Sequence, residues 1–408
     1  MKVDTRKLLG LAAAACMGVS WVGSVARAGN AANLEVPLDS SFDIVTFNGT
    51  AEGRNDDAFI SLQSLTGSVL PFDFNLYGSQ RTDLFINNNG NVSFGQGFST
   101  YTASGFPIAN VPMVAAFWAD VDTRNAASGL VHYKLYDSNG GSDINTLTVI
   151  WDNVGYFSNQ IDKTNTFELT ISDGTNADMG IGQNVCFSYD DMQWTTGSAS
   201  GGSSGFGGTA ATVGVNKGDG SSFFQIGRFD HAGDDYDGSG GTTDGVSYLD
   251  NQDICFSASE AGANQAPVAI NFPSGGALTL DPTAGDTLNL LLSFIGPELG
   301  DAVSLTSVTD PSGAQLAGLS VVLNDGDPAT AQLNWTPGVS LLGNSYVLTF
   351  NFEDSFGLTS SRSLTINIDD GGGPPPPPPG VPLPAAAWMG LVTLAGLGGT
   401  KLARRLKA

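Results

Sequence analysis

Along most of this chain, apolar residues come in short runs that alternate with polar ones and stop at Gly, Asn, Asp or Pro. No stretch of the central chain keeps the 3.6-residue period of an amphipathic helix. Alternation with a period of two puts successive side chains on opposite faces of a strand. The runs at 68–75, 83–86, 91–94, 113–118, 130–136, 147–151, 166–172, 185–189 and 212–216 are therefore predicted strands. Strands this short, at such intervals, predict a sandwich of antiparallel sheets over residues 29–261. Within 83–95 the tip Asn87-Asn88-Asn89-Gly90 supplies positive φ at low cost, so the runs on either side read as a hairpin.

Residues 260–265 carry no apolar pattern and lead into Ala266-Pro267-Val268, which places a boundary near residue 262. Beyond it, 277–280, 287–294, 303–309, 319–323, 331–335, 346–352 and 363–368 predict about seven strands over residues 265–369, the count and size of an immunoglobulin-like sandwich. The predicted fold class is all-β, two sandwiches in tandem, with apolar helices only at the chain ends.

The ends follow a different pattern. Lys2, Arg6 and Lys7 precede an apolar run and the small residues of Ala26-Arg27-Ala28, the layout of a signal peptide over residues 1–28. Cys16 is read as lost with that signal rather than as a lipid attachment point, because Ala13 stands three before it and the apolar run continues past it. Residues 370–380 form a Gly/Pro-rich linker whose consecutive prolines predict an extended, semi-rigid spacer. Residues 381–408 open with Val381-Pro382-Leu383-Pro384, continue through an apolar stretch and close on Lys401, Arg404, Arg405 and Lys407. That stretch is at or just under the length that spans a bilayer, with its basic end on the cytoplasmic side.

Charge narrows the partners. Eight of the sixteen Lys and Arg but only Asp4 of the forty acids lie in the two terminal segments, so residues 29–380 carry eight bases against 39 acids, a net charge of −31. Such a field repels nucleic acid and anionic lipid headgroups, and makes divalent cations the natural counter-ions. With Cys16 removed, Cys186 and Cys255 remain, an even pair in an exported chain. They are expected to form a disulfide, worth on the order of 4 kcal/mol in the chain-entropy model; the alternative is two buried thiols acting as small hydrophobes.

Three resemblances bear on identity. Val381-Pro382-Leu383-Pro384, a short apolar helix and a closing basic cluster resemble the PEP-CTERM sorting signals of Gram-negative bacteria, in the VPLPA variant. That resemblance implies recognition by an exosortase, removal of the helix and release to the surface or matrix; an uncleaved helix would instead anchor the chain in the inner membrane. Asp56-Asp57, the run from Phe72 to Gly78, Phe85-Ile86-Asn87-Asn88-Asn89-Gly90 with Ser93-Phe94-Gly95, and Ala116-Phe117-Trp118-Ala119-Asp120-Val121-Asp122 resemble the nidogen-like (NIDO) domain. Val149-Ile150-Trp151, Phe167-Glu168-Leu169, the segment from Met192 to Gly197, Gly214-Val215-Asn216 and Asp244-Gly245 continue the likeness in order. It implies an extracellular adhesion module without catalytic machinery. In the second half, Leu333-Asn334-Trp335-Thr336-Pro337, Tyr346-Val347-Leu348-Thr349-Phe350 and Leu364-Thr365-Ile366-Asn367-Ile368 resemble bacterial cadherin-like or Ig-like repeats, which space or present a binding domain.

Candidate chemistry is sparse. Asp120 and Asp122 alternate with Val121, so both carboxylates could share one face as a calcium site or could cap a turn. Asp234, Asp235 and Asp237 put hard oxygen donors in a glycine-rich loop, without the alternating donors and terminal Glu of an EF-hand. The cadherin-like resemblance adds Glu353 or Asp354 as a junction calcium ligand, against a solvated turn. Calcium is thus the one cofactor the sequence raises. Trp118, Trp151 and Trp194 read as core aromatics, against sugar-stacking platforms. His132 and His231 have no second His at ligand spacing, and no free Cys is expected after export. A carboxylate pair able to cleave glycosides can be imagined anywhere among so many acids, which gives that reading little weight. The expectation is a non-enzymatic surface or matrix protein that binds extracellular polysaccharide or protein, with a structural spacer as the alternative.

Overall fold

The computed structural model describes residues 34–47, 53–239, 241–260, 264–273, 276–296, 301–309, 316 and 318–369. The signal peptide expected at 1–28, the linker at 370–380 and the sorting segment at 381–408, with Val381, Pro382, Leu383 and Pro384, lie outside the described residues. Among the described residues no helix is long and apolar enough to cross a membrane.

The chain forms β-sandwiches. One sheet of the first sandwich takes its strands in the order Asp43–Ile44, Val131–Tyr136, Thr146–Tyr156, Gln160–Ser172, Val185–Met192 and Asp253–Phe256. The other runs Asp244–Gly245, Phe223–His231, Ala211–Asn216, Met113–Trp118, Asn91–Phe94, Leu84–Asn87 and Phe59–Ser61. Alternate residues such as Trp151, Leu169 and Phe187 from one sheet and Val114, Val213 and Ile226 from the other meet in a single apolar core. Trp118, Trp151 and Trp194 are fully buried, and each indole N–H donates to a main-chain carbonyl, of Thr100, Asn88 and Val154 in turn. They pack the interior and offer no face to a sugar. Burying an aromatic ring of this size contributes on the order of 3 kcal/mol.

Two differences from the predicted strands have plain causes. Of the run 68–75 only its end is extended, as Phe74–Leu76 paired with Ser79–Arg81. Pro71 has no amide hydrogen to give a ladder, and the short helix Leu62–Thr66, closed by Gly67 at φ 82°, precedes it. The strand Phe223–His231 escaped prediction because Gly227 and Arg228 interrupt its alternation.

The second sandwich has one sheet ordered Val268–Ile270, Leu288–Ile295, Ala329–Trp335 and Ser320–Asn324. The other is ordered Ala277–Leu280, Thr359–Ile368, Ser345–Asp354 and Val303–Thr309, with the first pair parallel. Its core holds Phe294, Phe350, Phe352 and Trp335. The strand Val268–Ile270 sits at the junction: Val268 and Ile270 belong to the first core, Ala269 to the second.

The outer face of the first sheet is covered as well. Leu34 and Phe42 pack on Ile150, and the Val36 amide donates to Glu168 Oε2 at 3.1 Å while the Thr170 hydroxyl donates to Oε1 at 2.8 Å. On the same face Cys186 and Cys255 stand opposite each other on neighbouring strands, Cα atoms 4.0 Å apart, joined as a disulfide beside Met179. Intact mature protein, denatured without reductant, should therefore show no alkylatable thiol by mass spectrometry and two after reduction.

Glu168 is completely buried, and that burial, assisted by Asp253 and opposed by its two hydrogen bonds, pushes its carboxyl up to about 8. The folded pKa lies above the unfolded one, so the carboxyl costs nothing below the ordinary glutamate range. Between there and about pH 8 the unfolded state ionises first and stability falls. Glu168→Gln, which keeps an acceptor and adds a donor, should gain stability over the wild type as pH rises from 5 to 8, at up to about 1.4 kcal/mol per pH unit. Urea unfolding at fixed pH values measures the difference; a gap that does not change with pH refutes it.

Candidate functional site

At one end of the first sandwich four loops converge. The strand Met113–Trp118 runs out into Ala119-Asp120-Val121-Asp122, and the hairpin tip catches it: Val121 N donates to Asn89 Oδ1 at 3.0 Å, and Asn88 Nδ2 donates to the Val121 carbonyl. Asp122 forms an antiparallel bridge with Asp56 on one side, and Val121 bridges Tyr156 on the other. The Asp120 carbonyl then accepts from Phe157 N at 3.2 Å. Arg54 holds the following turn, donating to the carbonyls of Thr123, Asn125, Ala126 and Ser128 at 2.8–3.0 Å.

This brings Asp56, Asp57 and Asp120 together, with one carboxylate oxygen from each lying within 4.8 Å of the others. Among the described residues it is the single group of three potential metal ligands. Asp122 is not a member. Its two oxygens accept from Arg124 Nε at 2.9 Å and Nη2 at 2.6 Å, and Oδ2 also accepts from Asn159 N at 2.8 Å. The expectation of an Asp120 and Asp122 pair is thus corrected to Asp120 with Asp56 and Asp57, because a guanidinium two residues along the chain takes Asp122 for itself. Arg124 also reaches Asp56 Oδ2 at 2.8 Å and lies over the Phe157 ring at 5.7 Å. Asn89 Nδ2 donates to Asp57 Oδ1 at 2.9 Å.

The electrostatics are lopsided. Asp120 is 1% exposed, and burial, with Asp57, Asp56 and Asp122 adding to it, pushes its carboxyl up to about 8. Burial and the same crowding raise Asp56 to about 6. Burial also lifts Asp57 above the usual carboxylate range. Burial acts on Asp122 in the same direction, but the bonds from Arg124 and the Asn159 amide outweigh it and hold the group below its ordinary value. No hydrogen bond satisfies Asp120 Oδ2 or Asp56 Oδ1, both of which are buried.

The other anticipated ligands are engaged locally. Asp235 accepts from His231 Nε2 at 3.0 Å, which raises the imidazole pKa through its bonds to Asp230 and Asp235. Asp237 turns towards Asp244, and Asp234 lies along a shallow pocket with Gly233, Ser247 and Asn251. The loop therefore does not gather Asp234, Asp235 and Asp237 at one point, since each meets a different neighbour. Asp354 Oδ1 caps its own turn through the amides of Phe356 and Leu358, and Oδ2 accepts from Asn264 at 3.1 Å. It does lie at the junction, with its oxygens occupied; Glu353 stands half-buried beside it on the same strand.

Beside the carboxylates is a polar groove of about 300 Å³ lined by Tyr156, Phe157, Ser158, Gln160, Asp162 and Ser203. Phe157 N, which donates to the Asp120 carbonyl at 3.2 Å, ties the groove lining to the acidic cluster.

Comparison with known proteins places this arrangement. Residues 41–236 match the family model described as NIDO related. The chain carries a NIDO-like domain. Alpha-tectorin of Gallus gallus is 30% identical over 202 residues, 44% of this chain and 9% of that protein, and the mouse and human alpha-tectorins match alike. Nidogen of Drosophila melanogaster is 30% identical over 114 residues, 23% of this chain and 8% of its own length. The chain thus spans under a tenth of the length of these relatives. The Vibrio cholerae VesB protease aligns at a TM-score of 0.23 and 11% identity, covering 81% of this chain and 99% of that one, a likeness that carries no weight. The match covers every loop of the acidic site, and the strand Asp253–Phe256 completes the NIDO-like sheet beyond its end.

Sequence reading missed Arg54 and Arg124 as organisers and did not pair Asp56-Asp57 with Asp120. The adjacent acids and the three consecutive asparagines were the available signal. Arg54→Ala should destabilise the NIDO-like domain by about 2–3 kcal/mol through four orphaned carbonyls. Arg54→Lys, which cannot fork to all of them, should lose part of that; denaturant unfolding measures both.

Proposed function

We propose that this chain is an exported surface or matrix protein that mediates cell-matrix adhesion by binding extracellular polysaccharide or protein, and that it acts by binding rather than catalysis. The match of residues 41–236 to the NIDO-related model carries this reading, and the alpha-tectorin and nidogen likenesses support it over the same sandwich. The groove beside the acidic cluster is the recognition surface we assign. Its hydroxyls, the Gln160 amide and the Asp162 carboxylate present donors and acceptors suited to a hydroxyl-rich ligand. We further propose that the VPLP segment is read by an exosortase and removed, so that any inner-membrane residence is transient.

A second reading, a spacer without a specific ligand, draws on the junction. Val268 and Ile270 bury in the first core and Ala269 in the second, so the two sandwiches share a junction strand. The two readings separate in a screen of the secreted protein against arrays of glycans and extracellular proteins. Saturable binding that Gln160→Ala with Asp162→Ala weakens at least tenfold is the expected result. Absence of any saturable binding favours the spacer. Released protein whose intact mass still includes Trp388 to Lys407 would overturn the processing proposal.

A further inference from the structure

We infer that Asp56, Asp57 and Asp120 of the NIDO-like domain form a calcium site. Two independent observations converge on it. The first is spacing: calcium bonds to oxygen at about 2.3–2.6 Å, so oxygens on opposite sides of one ion stand about 5 Å apart, and one oxygen from each of the three carboxylates lies within 4.8 Å of the other two. The second is an unmet bond. Asp120 is 99% buried and its Oδ2 accepts no hydrogen bond, and the buried Oδ1 of Asp56, another member of the group, accepts none either.

Neither neighbouring arginine is free to pair with Asp120. Arg124 is the cation at hand, and its guanidinium is spent on both oxygens of Asp122 and on Asp56 Oδ2. Arg54 points the other way, into four carbonyls. Asp120 Oδ2 packs closely against Gly197, where an added Cβ would lie 2.5 Å from it and 2.8 Å from Phe157 Cβ. Burying a carboxylate without a partner costs several kcal/mol, and a divalent ion bonded to three such groups removes that cost. The ligands come from the turn at 56–57 and the end of the strand Met113–Trp118, 63 residues further along, so the ion would cross-link the two. Through Phe157 N on the Asp120 carbonyl it would also steady the groove lining. The site stands whether or not the groove binds a glycan.

The test uses the full chain stripped of metal with chelator. Titration calorimetry with calcium chloride at constant ionic strength should show a saturable site. At a hundredfold excess over the dissociation constant the melting temperature should rise by about 5 °C, and sodium chloride of equal ionic strength should not reproduce the rise. Asp120→Asn should weaken binding at least tenfold while melting in chelator no lower than the wild type, because it replaces a buried ionisable group, left without a hydrogen-bond partner, by a neutral amide of the same shape. Asp57→Asn, at a half-buried position, carries the same test should Asp120→Asn fail to fold. Asp234→Asn with Asp237→Asn should bind as the wild type does. No saturable heat, equal shifts from both salts, or loss of binding in the Asp234 and Asp237 variant with retention in Asp120→Asn would each overturn the proposal.

Discussion

The close approach of Gly90 to Phe117 is the contact on which the acidic end of the first sandwich depends. Gly90 sits at φ +76°, and a Cβ there would lie 1.8 Å from the Phe117 carbonyl oxygen, so no other residue fits without moving the strand. Phe117 N donates to the Gly90 carbonyl at 3.0 Å in return. With the hairpin tip locked against the end of Met113–Trp118, Asn88 and Asn89 are positioned to take both main-chain groups of Val121 through their side chains. The Asn88 carbonyl also takes the indole N–H of Trp151 from the opposite sheet. One glycine contact therefore fixes the path of Ala119 to Asp122, joins the two sheets at that end and decides where Asp120 points.

The direction it points is expensive. In a segment with a net charge of −31, ionising a further buried carboxylate adds to self-repulsion in the folded state. The two organising arginines offset this unequally: Arg54 spends its donors on backbone and Arg124 on Asp122 and Asp56. Asp120 and one oxygen of Asp56 are left to desolvation, which is why burial leads the causes of both raised pKa values. Packing for stability alone would favour an apolar residue at 120, since buried ionisable groups are weak contributors to net stability. Binding of the proposed calcium ion would offset that cost.

Much of this was legible in the sequence where the period of two is clean. The run at 113–118 forms a strand with the same bounds, and the Asn-rich tip with Gly90 forms a hairpin. All three central tryptophans are core. Legibility failed where one residue overrides the pattern, as Pro71 does in 68–75 and Gly227 does in Phe223–His231. It failed again wherever side chains are brought together by topology. Asp120 and Asp122 look equivalent on paper, yet Arg124 removes one of them. Asp56-Asp57 is remote along the chain from Asp120 and meets it only because Asp56 bridges Asp122. The loop holding Asp234, Asp235 and Asp237 has the right composition, but His231, Asp244 and solvent each claim a different carboxylate.

The junction shows how the same alternation serves two domains at once. In Val268–Ile270 the outer residues enter the first core and the middle one the second, so a three-residue strand with ordinary period-two geometry belongs to both interiors. Gln252 reinforces it by accepting from Asn271 N at 2.6 Å, and Arg362, on the last strand of the second sandwich, donates to the Met179 carbonyl at 3.4 Å while lying over the Phe272 ring. A connection made of shared core and buried polar contacts resists bending far better than a flexible linker. The two sandwiches are thus joined through shared buried structure as well as through the chain itself.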